Sequence, residues 1–155
     1  MLFFITVSVL LASAQAKFYT DCGSSLATVD SVRVSGCADD ANKCNLKPNA
    51  NATITIEFTP LQDVSSIETD VYEIVHGLPL LIASQPDACK GQGLACPLKA
   101  GAKANYKTKL SALKYLLPDS MVYLKLKLVN ARRMLVCVMI SARVDDLFQS
   151  DTTTN

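Results

Sequence analysis

The chain has 155 residues, enough for one ordinary domain and too few for two comfortable cores. Its 15 basic and 14 acidic side chains leave a net charge of +1, so no strong field draws it to nucleic acid or to an anionic membrane. Half of the residues are hydrophobic, yet only 6% are aromatic and none is tryptophan, which excludes an immunoglobulin core filled by a tryptophan between paired cysteines.

From Met1 to Ala12 the chain is almost continuously apolar, and Ala14-Gln15-Ala16 supplies the small-residue pattern that signal peptidase favours. About a dozen apolar residues are too few for a bilayer span, so 1–16 is expected to be a signal peptide and the mature domain to occupy 17–145. Beyond it, period-two alternation dominates. Val32 and Val34 flank Arg33, and Ile54, Ile56 and Phe58 alternate with Thr53, Thr55, Glu57 and Thr59. Such alternation predicts half-buried strands. Val71 to Ile82 reads as one extended apolar stretch interrupted by Gly77 and Pro79. Tyr106, Thr108 and Leu110 alternate with lysines, as do Leu124, Leu126 and Leu128. Met134 to Val144 begins apolar on both parities, which suits a central strand covered on both faces. Residues 146–155 lose periodicity and are expected to form a flexible tail. Seven or so short strands separated by Gly, Pro, Asn and Asp predict an all-β, antiparallel sandwich of two sheets. Ala100 to Leu117 can be drawn as a helix, but Pro97, Gly101 and the alternation from Tyr106 argue against one.

Six cysteines, Cys22, Cys37, Cys44, Cys89, Cys96 and Cys137, form an even set in a chain that reads as exported, which favours three disulfides over a zinc site. Cys37 and Cys44 enclose a polar turn segment, as do Cys89 and Cys96, and each pair reads as a local clip. Cys22 is then left to meet Cys137. Asn51-Ala52-Thr53 is an N-glycosylation sequon with Asn51 as acceptor. Catalysis needs a nucleophile with a base, a carboxylate pair or a metal cluster. The single histidine, His76, stands in no such pattern, and Asp39-Asp40, Asp145-Asp146 and Glu68/Asp70 read as solvated positions. Neither an enzyme nor a cofactor is expected.

The flanking residues of the cysteines are more specific: Asp21-Cys22-Gly23-Ser24, Gly36-Cys37 with Cys44, Pro86-Asp87-Ala88-Cys89 with Cys96-Pro97-Leu98, and Val136-Cys137-Val138. This frame resembles the ML-domain lipid-recognition family, in particular its small secreted arthropod branch, and covers nearly all of the mature chain. The resemblance implies an immunoglobulin-like sandwich, disulfides Cys22–Cys137, Cys37–Cys44 and Cys89–Cys96, and an apolar ligand held between the sheets. It further implies a tunnel lined by Leu78, Leu80, Leu81 and Ile82, by Tyr106, Leu110, Ala112, Leu113 and Leu117, and by Val138 and Ile140. The family's sterol carrier has aromatic residues where this chain has Leu81, Leu117 and Val138, and an aliphatic wall suits a flexible chain better than a flat ring. Fatty acids are therefore expected to compete well with sterols.

Two functions follow. The first is a secreted, monomeric carrier of a small hydrophobic ligand (fatty acid, sterol or other lipid), delivering it to a membrane or receptor from outside the cell or within an endosomal or lysosomal lumen. The second is immune recognition of microbial lipids, in which Lys103, Lys107, Lys109, Lys114, Arg132 and Arg133 meet anionic headgroups. The plainer role of those cations is a solvated strand face.

Overall fold

A computed structural model describes residues 17–47, 50–110 and 121–144. The expected signal peptide (1–16), Ala112, Leu113, Lys114, Leu117 and the expected C-terminal tail (146–155) lie outside the described residues. Among the described residues nine strands run in chain order: β1 (Tyr19–Asp21), β2 (Ala27–Val34), β3 (Cys44–Leu46), β4 (Ala52–Pro60), β5 (Glu68–Val75), β6 (Leu78–Gln85), β7 (Ala104–Leu110), β8 (Met121–Asn130) and β9 (Arg133–Val144). Among the described residues there is no helix. The strands form two sheets, one ordered β1-β9-β8-β5-β6 with β3 also beside β9, the other ordered β2-β4-β7.

The alternation read from the sequence explains the smaller sheet. Ala52, Ile54, Ile56 and Phe58 are buried while the residues between them are half-exposed. Cross-strand pairing extends this apolar face into rows such as Val32–Ile56–Tyr106. Opposed pairs on one face are the unit of sheet stabilisation, and these aliphatic and aromatic pairs bury one side of the sheet as a block. The larger sheet answers with Val71, Leu128, Val136, Val138, Ile140 and Ala142, and both faces contribute to one buried cluster. In β9, Leu135, Val136, Cys137 and Val138 are all fully buried, as expected of a strand covered on both sides.

Three features depart from the expectation. The strands of the described residues number nine because β1 and β3 are three-residue pieces that carry no periodicity of their own. The sandwich is not wholly antiparallel: Cys44–Leu46 runs parallel to Ala142–Val144, continuing the edge of β9 beyond the place where β1 ends. The stretch from Val71 to Ile82 is two antiparallel strands, β5 and β6, turning at His76-Gly77. Both turn residues have positive φ, 49° and 80°, the signature of a two-residue type I′ hairpin. Ala131 and Arg132 close the β8–β9 hairpin in the same way, at φ 47° and 65°, without a glycine to ease the left-handed backbone.

The cysteine frame has a structural basis. Disulfides join Cys22 to Cys137, Cys37 to Cys44 and Cys89 to Cys96, and no free cysteine remains. Asp21 Oδ1 accepts hydrogen bonds from the Gly23 and Ser24 amides, both at 2.8 Å, and so shapes the turn around Cys22. Ser24 Oγ then accepts from the Cys137 amide at 3.0 Å, while the Cys22 amide donates to the Cys137 carbonyl at 2.9 Å. The Asp-Cys-Gly-Ser motif is therefore a device that seats the first strand on β9. In the second clip, Gly93 adopts φ 78°, and a Cβ there would lie 3.0 Å from the Asn105 carbonyl, so glycine lets this loop approach β7.

Candidate functional site

Between β5 and β8 the pairing is regular, so residues facing one side can be followed across the larger sheet. Three rows run from β6 to β9: Gln85–Thr69–Leu128–Val136, Ala83–Val71–Leu126–Val138 and Leu80–Glu73–Leu124–Ile140. Thr69, Val71, Val136, Val138 and Ile140 are buried, which identifies this as the face turned into the sandwich. The opposite face of the hairpin carries polar bonds: Asp70 accepts from Ser84 Oγ at 2.8 Å and from the Tyr72 hydroxyl at 3.3 Å.

The cover ends at β6. Among the described residues this strand pairs only with β5, and Leu78, Leu80 and Leu81 are 67%, 52% and 56% exposed despite their apolar sequence. A bulge at Ile82, where the β5–β6 register shifts, puts Leu80 on the inner face beside Glu73 and Leu81 on the outer face beside Tyr72. Leucines thus run from solvent at the sheet edge onto an apolar inner face. Such a cluster of exposed leucines on one edge strand marks an interaction or entrance region.

The residues expected to line a tunnel fall into three groups. Tyr106, Leu110, Val138 and Ile140 come together in the buried cluster, and Ile82 is partly buried against it. Leu78, Leu80 and Leu81 stand at the open edge. Ala112, Leu113 and Leu117 lie outside the described residues. Two surface hollows, of about 440 and 360 Å³, are lined by loop residues around Gly36 and Asn51 and by residues 93–105; of the expected ligand-binding residues, neither contains one. The sequon residue Asn51 is exposed on the rim of the first hollow, immediately before β4. Lys103, Lys107 and Lys109 are exposed in and just before β7 of the smaller sheet, whereas Arg132 and Arg133 sit at the β8–β9 hairpin of the larger one.

Two polar residues on the inner face escaped the sequence reading. Thr69 is 2% exposed, and its hydroxyl has no hydrogen-bond partner. Glu73, two positions beyond Val71 on the same face, is half-buried, and burial raises its carboxyl above the ordinary value. The signal that reveals them is parity, since Thr69, Val71 and Glu73 alternate with the outward Asp70 and Tyr72. Among the described residues no group of three or more metal-ligating side chains is assembled.

This two-sheet frame, its three disulfides and its sequence define a lipid-recognition class: an ML-domain family model matches residues 16–144, and the chain belongs to the ML-domain family. It is similar to the Ecdysteroid-regulated 16 kDa protein of Manduca sexta, 54% identical over 145 residues that cover 93% of this chain and 99% of that one. NPC intracellular cholesterol transporter 2 homolog a of Drosophila melanogaster is 30% identical over 143 residues, covering 90% and 95% of the two chains. The crystal structure of a Niemann-Pick type C2 protein from the Japanese carpenter ant superposes with a TM-score of 0.73 at 23% identity, over 82% of this chain and 98% of that one, a likeness of fold.

Proposed function

We propose that the chain is a secreted carrier that encloses the apolar part of a fatty acid, sterol or similar amphiphile between its two sheets. The observation that carries this reading is that exposed Leu78 and Leu80 stand at the edge of the same inner face that carries buried Val71, Val138 and Ile140. Membership of the ML-domain family supports it, as does the name of the Drosophila relative, a cholesterol transporter homolog. Tyr106, Leu110, Val138 and Ile140 supply the wall; Leu78 and Leu80, with Ile82 at the bulge, form the mouth through which the ligand passes to a membrane or receptor, and Leu81 flanks it on the outer face. Binding is driven by apolar area removed from water, roughly 25 cal/mol per Å² before the costs of association. Three disulfides and the apolar segment 1–16 suit an extracellular or endosomal and lysosomal setting. Exposed Asn51 is the proposed glycan acceptor, to be read as a gel shift on glycosidase treatment of the secreted protein.

Delipidated protein should take up one fluorescent fatty acid or sterol per chain, equally well in low and high salt, because buried apolar contacts are not screened. Failure to take up either probe refutes the carrier. Binding that collapses in salt would favour the alternative, headgroup recognition by the surface cations.

A further inference from the structure

An acidic side chain occupies a row whose other members are all aliphatic. Glu73 pairs with Leu80 on one side and Leu124 on the other, and Leu124 pairs with Ile140. It shares the inner face of β5 with buried Thr69 and Val71, and it stands next to the leucine mouth. The other half-buried acid of β5, Asp70, is satisfied by Ser84 and Tyr72 on the outer face. Among the described residues Glu73 makes no hydrogen bond or ion pair.

A purely structural inner face gains nothing from a carboxylate, and desolvation already works against its charge. A ligand that enters past Leu80 with its apolar end leading leaves its polar end beside this residue. We propose that Glu73 selects the head of the bound lipid: the carrier takes a neutral, hydroxyl-bearing head and turns away a carboxylate one. This inference rests on the carrier reading and narrows its ligand class from amphiphiles in general to lipid alcohols. The ligand O–H donates to a Glu73 oxygen and supplies the bond that the side chain lacks. A fatty-acid head brings a second negative charge to the same site and offers no donor when ionised.

The test uses the full mature protein at neutral pH with two probes that share one chain and differ in the head, pyrene-labelled dodecanol and pyrene-labelled dodecanoic acid. Wild-type protein should bind the alcohol more tightly. Glu73→Gln keeps the shape and an acceptor but removes the charge, so acid affinity should rise about tenfold while alcohol affinity stays within about threefold. Glu73→Leu should raise acid affinity as well and weaken the alcohol about tenfold, because the acceptor is gone. A ratio of the two affinities that stays within about twofold of wild type in both variants overturns the proposal and leaves the carrier intact. Wild-type protein that binds neither probe overturns the carrier reading itself, and the selectivity with it. Far-ultraviolet circular dichroism of each variant confirms that the sheets are retained, and the isosteric Gln variant carries the test if the Leu variant does not fold.

Discussion

The row Gln85–Thr69–Leu128–Val136 is sealed from Thr69 onward, whereas the row Leu80–Glu73–Leu124–Ile140, four residues along β5, is fully buried at Ile140 and 52% exposed at Leu80. Both cross the same sheet and both carry aliphatic residues at their ends on β9. The difference lies in what covers them. Burial here follows the position of a residue in the sandwich, and the β5–β6 edge remains available because an apolar sequence does not by itself bring a partner to an outer strand.

The largest expected effect contrasts the two ends of the open row. Ile140→Ala should cost about 2–4 kcal/mol in denaturant unfolding, through lost apolar transfer and a cavity, while Leu80→Ala should stay within about 0.5 kcal/mol. Equal losses would mean that Leu80 is part of the core and that the edge is not a mouth. A smaller effect of opposite sign sharpens the sealed row: Thr69→Val replaces an unpaired buried hydroxyl by a methyl of similar size and should stabilise the unliganded protein by about 1 kcal/mol. A loss of stability there would show that the hydroxyl is bonded in solution.

Two titrations separate the inner face from the surface by sign. Burial raises the folded pKa of Glu73, so the folded state holds its proton to higher pH than the unfolded chain, and stability falls as pH rises through that interval. Glu73→Gln should therefore be the more stable form at neutral pH, with a flatter dependence above the ordinary carboxylate range. At Asp21, burial pushes the pKa upward, but the amide hydrogen bonds from Ser24 and Gly23 and that from the Ser24 side chain outweigh it and hold the carboxyl low. Its contribution is complete above the unfolded pKa and is lost as pH falls through the folded one, a loss that Asp21→Asn should abolish. Stability curves of the two variants that deviate from wild type in the same direction with pH would contradict this division.

Much of the fold is legible in the sequence because its physical causes are local. Period-two burial in β4, the doubly covered β9 and the two short cysteine clips all follow from residues that act within one strand or one loop. The status of β6 does not. Leu78, Leu80 and Leu81 read as part of one apolar stretch, and only the strand order shows that, among the described residues, they lie on an edge strand. The parallel pairing of Cys44–Leu46 with β9 is equally non-local. Glu73 was legible in principle, since it shares parity with Val71, yet an isolated acid in a strand resembles every solvated acid until the buried face is known.

The most direct test of the central claim is native mass spectrometry of the protein purified from a secreting cell, paired with organic extraction of what it holds. The account predicts one lipid per chain, recovered in the extract and released on denaturation, with neutral alcohols outweighing free fatty acids. A chain that flies at its bare mass, yields no lipid and remains unloaded after incubation with lipid alcohols, fatty acids and sterols would contradict it, and the sandwich would then be a filled core with its function elsewhere on the surface.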